Sequence, residues 1–133
     1  MNQDIFNVII VKKYKNSISR LYEDYFDAFE DTLIEVAKKA GIKPILGCEV
    51  YVAPGSRFDK EAYGSGDDRY YHLVLLAEND IGYHNLMKIV SKGFTEGFYY
   101  KPRVDMEVLR EHHEGIIALS ACLAGIVQEY IMK

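Results

Sequence analysis

Three side chains in this sequence have the chemistry to hold a metal ion: Glu49, His72 and Cys122. Glu49 interrupts an apolar run, and burying a carboxylate there is costly unless it is paired or binds a metal. His72 also has apolar neighbours, and imidazole is a common ligand for transition metals. Cys122 follows another apolar run, and its thiolate could bind zinc. Three ligands from separate strands could hold one divalent ion and leave a position for water.

Each of these residues also has an ordinary structural interpretation. Glu49 could be a carboxylate at a strand end in solvent, His72 a core histidine bonded to backbone, and Cys122 a packing residue. Cys48 precedes Glu49 and should face the opposite side of the strand, which favours packing. Both interpretations of the three candidate ligands stay open at this point.

Other polar and aromatic residues favour structural roles. His84, His112 and His113 lie on or beside predicted helices, and we expect the adjacent pair to be solvated because neighbouring helical residues point apart. The segment 98–103 mixes aromatic and cationic residues, which could stack single-stranded bases. Packing under a charged rim is the favoured interpretation, since aromatic side chains mostly serve burial.

The composition is that of one globular domain. The 133 residues are 49% hydrophobic and 27% charged, with a net charge of -4. This acidity argues against binding nucleic acid by bulk electrostatics, but not against holding phosphate through metal ions. No apolar run is long enough to cross a bilayer, no signal peptide is visible, and the two cysteines have no paired spacing. We therefore expect no membrane contact and a reducing, cytoplasmic setting.

Apolar periodicity predicts alternating strands and helices. Strands are predicted at residues 5–11, 42–52, 70–77 and 116–120, and helices at 21–40, 80–94, 106–113 and 124–132. Asn79 and Asp105 are expected to cap helices, Gly41 to end one, and residues 54–69 to form a long loop. This order predicts an α/β fold with parallel strands joined by helical crossovers.

Several blocks, in one order, resemble the PHP (polymerase and histidinol phosphatase) domain of bacterial DNA polymerase III alpha subunits. They are residues 37–54 (AKKAGIKPILGCEVYVAP), 71–77 (YHLVLLA), 82–83 with 85–88, 95–104 (TEGFYYKPRV) and 114–125 (EGIIALSACLAG). The resemblance spans roughly residues 35 to 128. It implies a distorted β/α barrel, here a partial (β/α) PHP-type barrel, with zinc, manganese or magnesium at one mouth. It also implies that Glu49 is a ligand position and strengthens the same role for His72.

The sequence departs from the family pattern in ways that affect the site. The family opens with His-x-His and Asp-His-Gly segments, whereas the first histidine here is His72, and the sequence stops before the family's later Asp-x-His ligands. We therefore predict a divergent segment at residues 1–34 and a partial PHP domain at residues 35–133, as in a fragment, truncated gene or rearranged paralogue. His72 is also near the start of its predicted strand, whereas a parallel barrel places its site at the C-terminal strand ends.

Three functions follow as hypotheses. The first is a non-catalytic part of a replicative polymerase, working in DNA replication only beside the polymerase's other parts or subunits and its DNA. The second is a metal-dependent phosphoesterase with replacement ligands among Asp4, Asp24 and Asp27. The third is a protein-binding module that self-associates through unpaired barrel edges. We expect the isolated chain to be inactive, because multi-metal phosphoester chemistry needs more ligands than the sequence retains.

Overall fold

The computed structural model describes residues 7–13, 32, 34–60, 70–121, 123 and 125–132. Its strands are β1 (Asn7–Lys13), β2 (Lys43–Val52), β3 (Tyr71–Ala77), β4 (Arg103–Val104) and β5 (Ile116–Leu119). Its helices are α1 (Asp80–Thr95), α2 (Met106–Glu111) and α3 (Ile126–Met132), and residues 34–39 are also helical. Most of the predicted elements are thus confirmed within two or three residues of their predicted ends. None of the helices described is both long and apolar enough to span a bilayer.

The five strands form one mixed sheet in the order β1-β2-β3-β5, with β4 paired to the end of β2. β1 and β4 run parallel to β2, whereas β3 runs antiparallel to both β2 and β5. The α/β class is confirmed, but the prediction of parallel strands joined by helical crossovers is wrong for β3. An apolar run shows that a strand is buried and does not encode its direction. The described part of the β2–β3 connection, residues 53–60, contains no helix that could cross the sheet.

The hydrophobic core lies between one face of the sheet and the helices. Its buried members come from β2, β3, β4, α1 and α2, and they are Cys48, Val50, Val52, Leu73, Leu75, Leu86, Ile89, Val104 and Val108. Val52, Ile89 and Val108 are completely inaccessible to solvent. Complete burial of such a side chain contributes about 1.5–3 kcal/mol. Cys48 lies on the same face of β2 as Val50 and Val52 and belongs to this core, as predicted.

α1 uses a different face from the one its apolar spacing suggests. The spacing of residues 80–94 predicts that Ile81, His84, Met87 and Val90 or Ser91 share the packing face, but Ile81 and Met87 are 52% and 43% exposed. The buried positions are Gly82, Leu86, Ile89 and Gly93. A Cβ at Gly82 would overlap the carbonyl of Gly115 in the turn before β5, so this glycine permits close packing. The helix is rotated towards its glycines because that rotation lets it approach the turn directly.

The helix ends are fixed as the sequence predicts. Asn79 Oδ1 accepts a hydrogen bond from the Gly82 N–H at 3.0 Å, and Asp105 Oδ1 accepts one from the Val108 N–H at 3.1 Å. Gly41 has φ of 74°, the left-handed conformation that ends a helix. Each such N-cap contributes about 1 kcal/mol.

The apolar run at residues 116–120 predicts a buried strand, but β5 is largely exposed. Ile117 and Leu119 are 45% and 44% exposed. Within the described part of the chain, β5 pairs with β3 alone and no strand covers its other edge. Its apolar residues are therefore suited to a neighbour that the described residues do not supply.

Candidate functional site

Glu49 and His72 meet on the face of the sheet opposite the core. In the β2–β3 register, Tyr51 lies opposite His72 and Glu49 opposite Val74. Because strand residues two apart share a face, these four side chains lie on one side. The His72 Nδ1 atom is 3.2 Å from Glu49 Oε1, and the two side chains are 24% and 15% exposed. The structure thus brings together two of the three predicted ligands.

The reversed direction of β3 resolves the geometric difficulty raised by His72. The start of an antiparallel strand lies beside the C-terminal end of its neighbour. His72, the second residue of β3, therefore lies beside Tyr51, the second-last residue of β2. It reaches the strand end where a barrel site belongs, although it comes early in its own strand.

Aromatic rings and one cation line this end of the sheet. The rings of Tyr70 and His72 are stacked with centroids 5.9 Å apart, and the Tyr51 ring meets both edge-on, at 4.7 Å from Tyr70 and 5.4 Å from His72. The Lys101 Nζ atom lies 5.8 Å from the Tyr51 ring centroid. Tyr51 is buried, so its ring packs against one side of His72 and restricts the position of the imidazole.

The Glu49–His72 pair fits a divalent metal in either of two ways. Carboxylate oxygen and imidazole nitrogen can both be ligands, or Glu49 can orient His72 so that the other ring nitrogen binds. In the described residues no group of three His, Cys, Asp or Glu side chains could hold an ion. Cys122 lies outside the described residues, as do Asp4, Asp24 and Asp27. A complete site therefore needs a further ligand besides this pair.

The described residues on either side of Cys122 bear on its predicted role. Gly125 forms an isolated parallel bridge with His72. Ala121 has φ of 34°, a strained conformation for a residue with a side chain. Strained backbone of this kind is found most often at binding and catalytic sites. The chain just after Cys122 therefore returns to the candidate site.

The other histidines have no part in this pair. His84 is exposed and its Nδ1 lies 2.7 Å from the carbonyl oxygen of Asp80 in its own helix. His113 is likewise exposed, and its Nδ1 is 2.7 Å from the carbonyl oxygen of Arg110. His112 is half-buried, with Nε2 3.6 Å from Glu111 Oε2, so the expectation of a solvated pair is met by His113 alone.

The aromatic and cationic segment 98–103 divides into a buried and an exposed part. Arg103 is 1% exposed and donates through Nε to the Gly97 carbonyl at 3.3 Å, so it is a structural residue. Phe98 and Tyr100 are 46% and 58% exposed. The favoured packing interpretation holds for Arg103, whereas these two rings are accessible.

A buried ion cluster centred on Arg57 was missed by the sequence reasoning, which assigned the segment to a loop. Arg57 is 7% exposed, and its guanidinium contacts Asp105 at 3.1 Å, Glu96 at 2.6 Å and Glu107 at 2.6 Å. Its own N–H also donates to Asp105 Oδ2 at 2.9 Å. The cluster ties the segment after β2 to the start of α2. An arginine among glycines and aspartates gave no periodic signal by which it could have been found.

The cluster perturbs the titration of its members. Burial by itself would lower the pKa of Arg57, but hydrogen bonds to Glu107, Glu96 and Asp105 outweigh burial and raise it. Burial would raise the pKa of Asp105, but the N–H groups of Arg57 and Val108 and the Arg57 guanidinium lower it overall. The hydrogen bond from Arg57 lowers the pKa of Glu96. All three groups are therefore charged at neutral pH.

The chain is similar to one protein family and to several named proteins. The PHP domain family matches residues 22–133. The DNA polymerase III subunit alpha of Treponema pallidum is 58% identical over 91 residues, which cover 68% of this chain and 8% of that protein. The corresponding subunit of Thermus aquaticus is 48% identical over 103 residues, covering 75% of this chain and 8% of that protein. That of Deinococcus radiodurans is 50% identical over 94 residues, covering 69% and 7%.

The similarity is confined to a small part of these relatives, since the chain spans only about 8% of their length. The family match nevertheless covers most of this chain and includes Glu49, His72 and Cys122. The chain therefore belongs to the PHP domain family.

Proposed function

We propose that this chain is part of the PHP domain of a DNA polymerase III alpha subunit and serves DNA replication in the cytoplasm beside the other polymerase parts and the DNA. The names and identities of its relatives support this context. In this proposal residues 35–133 are the partial PHP domain and residues 1–34 a divergent segment. The chain has no polymerase chemistry of its own, and its contribution is the metal-binding end of the sheet.

The metal site of the proposal is formed by Glu49 and His72, with Cys122 as a further ligand. The observation that carries it is the 3.2 Å contact between Glu49 Oε1 and His72 Nδ1 at the end of the sheet. The bridge between His72 and Gly125 supports the assignment of Cys122, three residues earlier in the chain. Zinc suits the imidazole and a thiolate best, and manganese or magnesium would rely more on the carboxylate. A metal held here could polarise a phosphate oxygen and lower the pKa of a bound water.

Metal binding is tested by thermal unfolding and calorimetric titration of the chain, first in chelator and then with zinc or manganese. An ion that binds only the folded state stabilises it by about 2.7 kcal/mol at a hundred times its dissociation constant. We expect a cooperative transition that moves to higher temperature with metal. His84→Gln is the matched control, because His84 is an exposed histidine on α1. It should leave the metal-induced shift unchanged.

Two substitutions separate the possible roles of the pair. His72→Gln should abolish the metal-induced shift if His72 is a ligand. Glu49→Gln should weaken metal binding about 10–100-fold if Glu49 only orients the imidazole, and should abolish it if Glu49 is itself a ligand. Metal binding that persists unchanged in His72→Gln would show that the ion is held elsewhere and would remove this site from consideration.

The proposal also states that the isolated chain has no appreciable phosphoesterase activity. Hydrolysis of p-nitrophenyl phosphate and of single-stranded DNA should stay at the background rate with zinc or manganese present. The described residues hold only two ligands together, fewer than a site with several metals requires. Metal-dependent turnover that is lost in Glu49→Gln would contradict this and favour the phosphoesterase hypothesis.

A further inference from the structure

Lys101 is a half-buried cation beside the candidate metal site. Its ammonium lies 5.8 Å from the centroid of Tyr51, and that ring is 5.4 Å from the ring of His72. None of the carboxylates in the described residues lies within ion-pairing distance of Lys101. A cation held against an aromatic face can still attract a bound anion.

Tyr100 is held outwards next to this cation by a strained turn. The Tyr99 N–H donates to the Lys101 carbonyl at 3.0 Å, and Tyr100 between them has φ of 58°. A residue with a bulky side chain rarely adopts this left-handed conformation without a compensating role. The Tyr100 side chain is 58% exposed, and its inner edge meets the Tyr99 ring at 4.6 Å between centroids. Arg103 lies 5.0 Å from the Tyr99 centroid and braces that ring in turn.

We propose that Tyr100 and Lys101 bind a nucleotide at the mouth of the site. The Tyr100 ring stacks on the base, and the Lys101 ammonium contacts the phosphate on the side facing Glu49 and His72. Stacking on an exposed ring accepts any base, and an adjacent cation suits the phosphate attached to it. This inference rests on the proposed function, since a metal at the pair would contact the same phosphate.

The chain's charge narrows the ligand to a single nucleotide or a single-stranded end. A net charge of -4 provides no broad basic surface for duplex DNA. One ring and one ammonium suffice for one base and one phosphate. The free nucleotide and the strand end share this chemistry, and the probes below distinguish them.

The test measures binding of a fluorescein-labelled oligo-dT, dTMP and inorganic phosphate to the full chain, in chelator and in manganese. Tyr100→Asn and Lys101→Met should each weaken oligo-dT binding about tenfold, as loss of one stacked base or one phosphate contact does. Asparagine is chosen because it tolerates the left-handed conformation. Lys101→Met should also lower the slope of log affinity against log salt by about one, which a structural defect would not do.

Matched controls come from exposed residues of the same types. Tyr130, which is 77% exposed on α3, becomes Asn, and Lys88, exposed on α1, becomes Met. Both controls should bind within about twofold of the unmodified chain. Lys101→Arg should restore most of the affinity, and unchanged unfolding temperatures establish that each variant is folded.

The outcomes separate this inference from the proposed metal site. Oligo-dT binding in chelator that depends on Tyr100 and Lys101 supports the inference even if no metal binds. Stronger binding to dTMP than to oligo-dT identifies the free nucleotide as the ligand, and the reverse identifies the strand end. Manganese-dependent binding lost in Glu49→Gln but unaffected by Tyr100→Asn and Lys101→Met would overturn the inference and leave the metal site in place. No oligo-dT or dTMP binding under either condition would also overturn it.

Discussion

Replacing Arg57 with Met should destabilise the fold by about 3 kcal/mol at neutral pH. The substitution removes the guanidinium and leaves Asp105, which is 4% exposed, as a buried carboxylate. Removing one member of a buried ion pair costs about 3–5 kcal/mol. The lower end applies because the N–H groups of residue 57 and Val108 still donate to Asp105. Glu107 is 74% exposed, so the loss of its contact adds little.

The assay is urea unfolding followed by far-ultraviolet circular dichroism, with Arg110→Met as the control. Arg110 is exposed on α2, and its substitution should change the free energy of unfolding by less than about 0.5 kcal/mol. Asp105→Asn keeps a capping side chain while removing the charge, so a cycle with Arg57→Met isolates the ion pair from the cap. A loss below about 1 kcal/mol in Arg57→Met would refute the reasoning, because it would mean the pair is no stronger than one at the surface.

Three further outcomes are expected. The free energy of unfolding should decrease as pH falls below about 4, because Asp105 and Glu96 have lowered pKa values in the folded state and contribute stability only while ionised. Urea titrations between pH 7 and pH 3 measure this, and a free energy of unfolding that stayed constant would contradict it. Gly97→Ala should lower the free energy of unfolding by about 1–3 kcal/mol or more, because the added Cβ would overlap the Arg103 carbonyl. An unchanged urea midpoint would show that the segment around Gly97 relaxes freely. Any self-association seen in sedimentation velocity should be reduced by Leu119→Lys, because none of the described strands covers the outer edge of β5. A variant that associates equally would place the contact elsewhere.

Much of the fold could be predicted because local signals decide it. The caps at Asn79 and Asp105 and the left-handed Gly41 set helix ends through contacts a few residues apart. The direction of β3 could not be predicted, because the apolar pattern of a strand shows that it is buried and does not encode its direction. The packing face of α1 was also unpredictable, since it follows from the close contact of Gly82 with a turn more than thirty residues away.

The site shows the same division. Glu49 and His72 could be singled out as candidates because a charged or polar residue inside an apolar run stands out against the cost of burial. Their contact depends on register and on the antiparallel pairing, which the sequence does not reveal. Arg57 is 39, 48 and 50 residues from Glu96, Asp105 and Glu107, and it meets these carboxylates only in the folded chain. The role of metal ligand stays a prediction for Glu49, His72 and Cys122, and Cys122 also lies outside the described residues.

The face of the sheet opposite the core carries two distinct surfaces, and this separation bears on how the domain could work. At the C-terminal end of β2, the His72 imidazole contacts the Glu49 carboxylate beside Tyr51. On β5, the apolar side chains of Ile117 and Leu119 are about half exposed to solvent. A metal at the proposed site would act on the first surface through ligand bonds, whereas a covering strand or second chain would act on the second through apolar burial. Metal affinity should therefore respond to His72→Gln and not to Leu119→Lys, while self-association should respond the other way round. If the two measurements instead changed together, the metal site would have to be formed between chains, with its further ligand supplied by a neighbour.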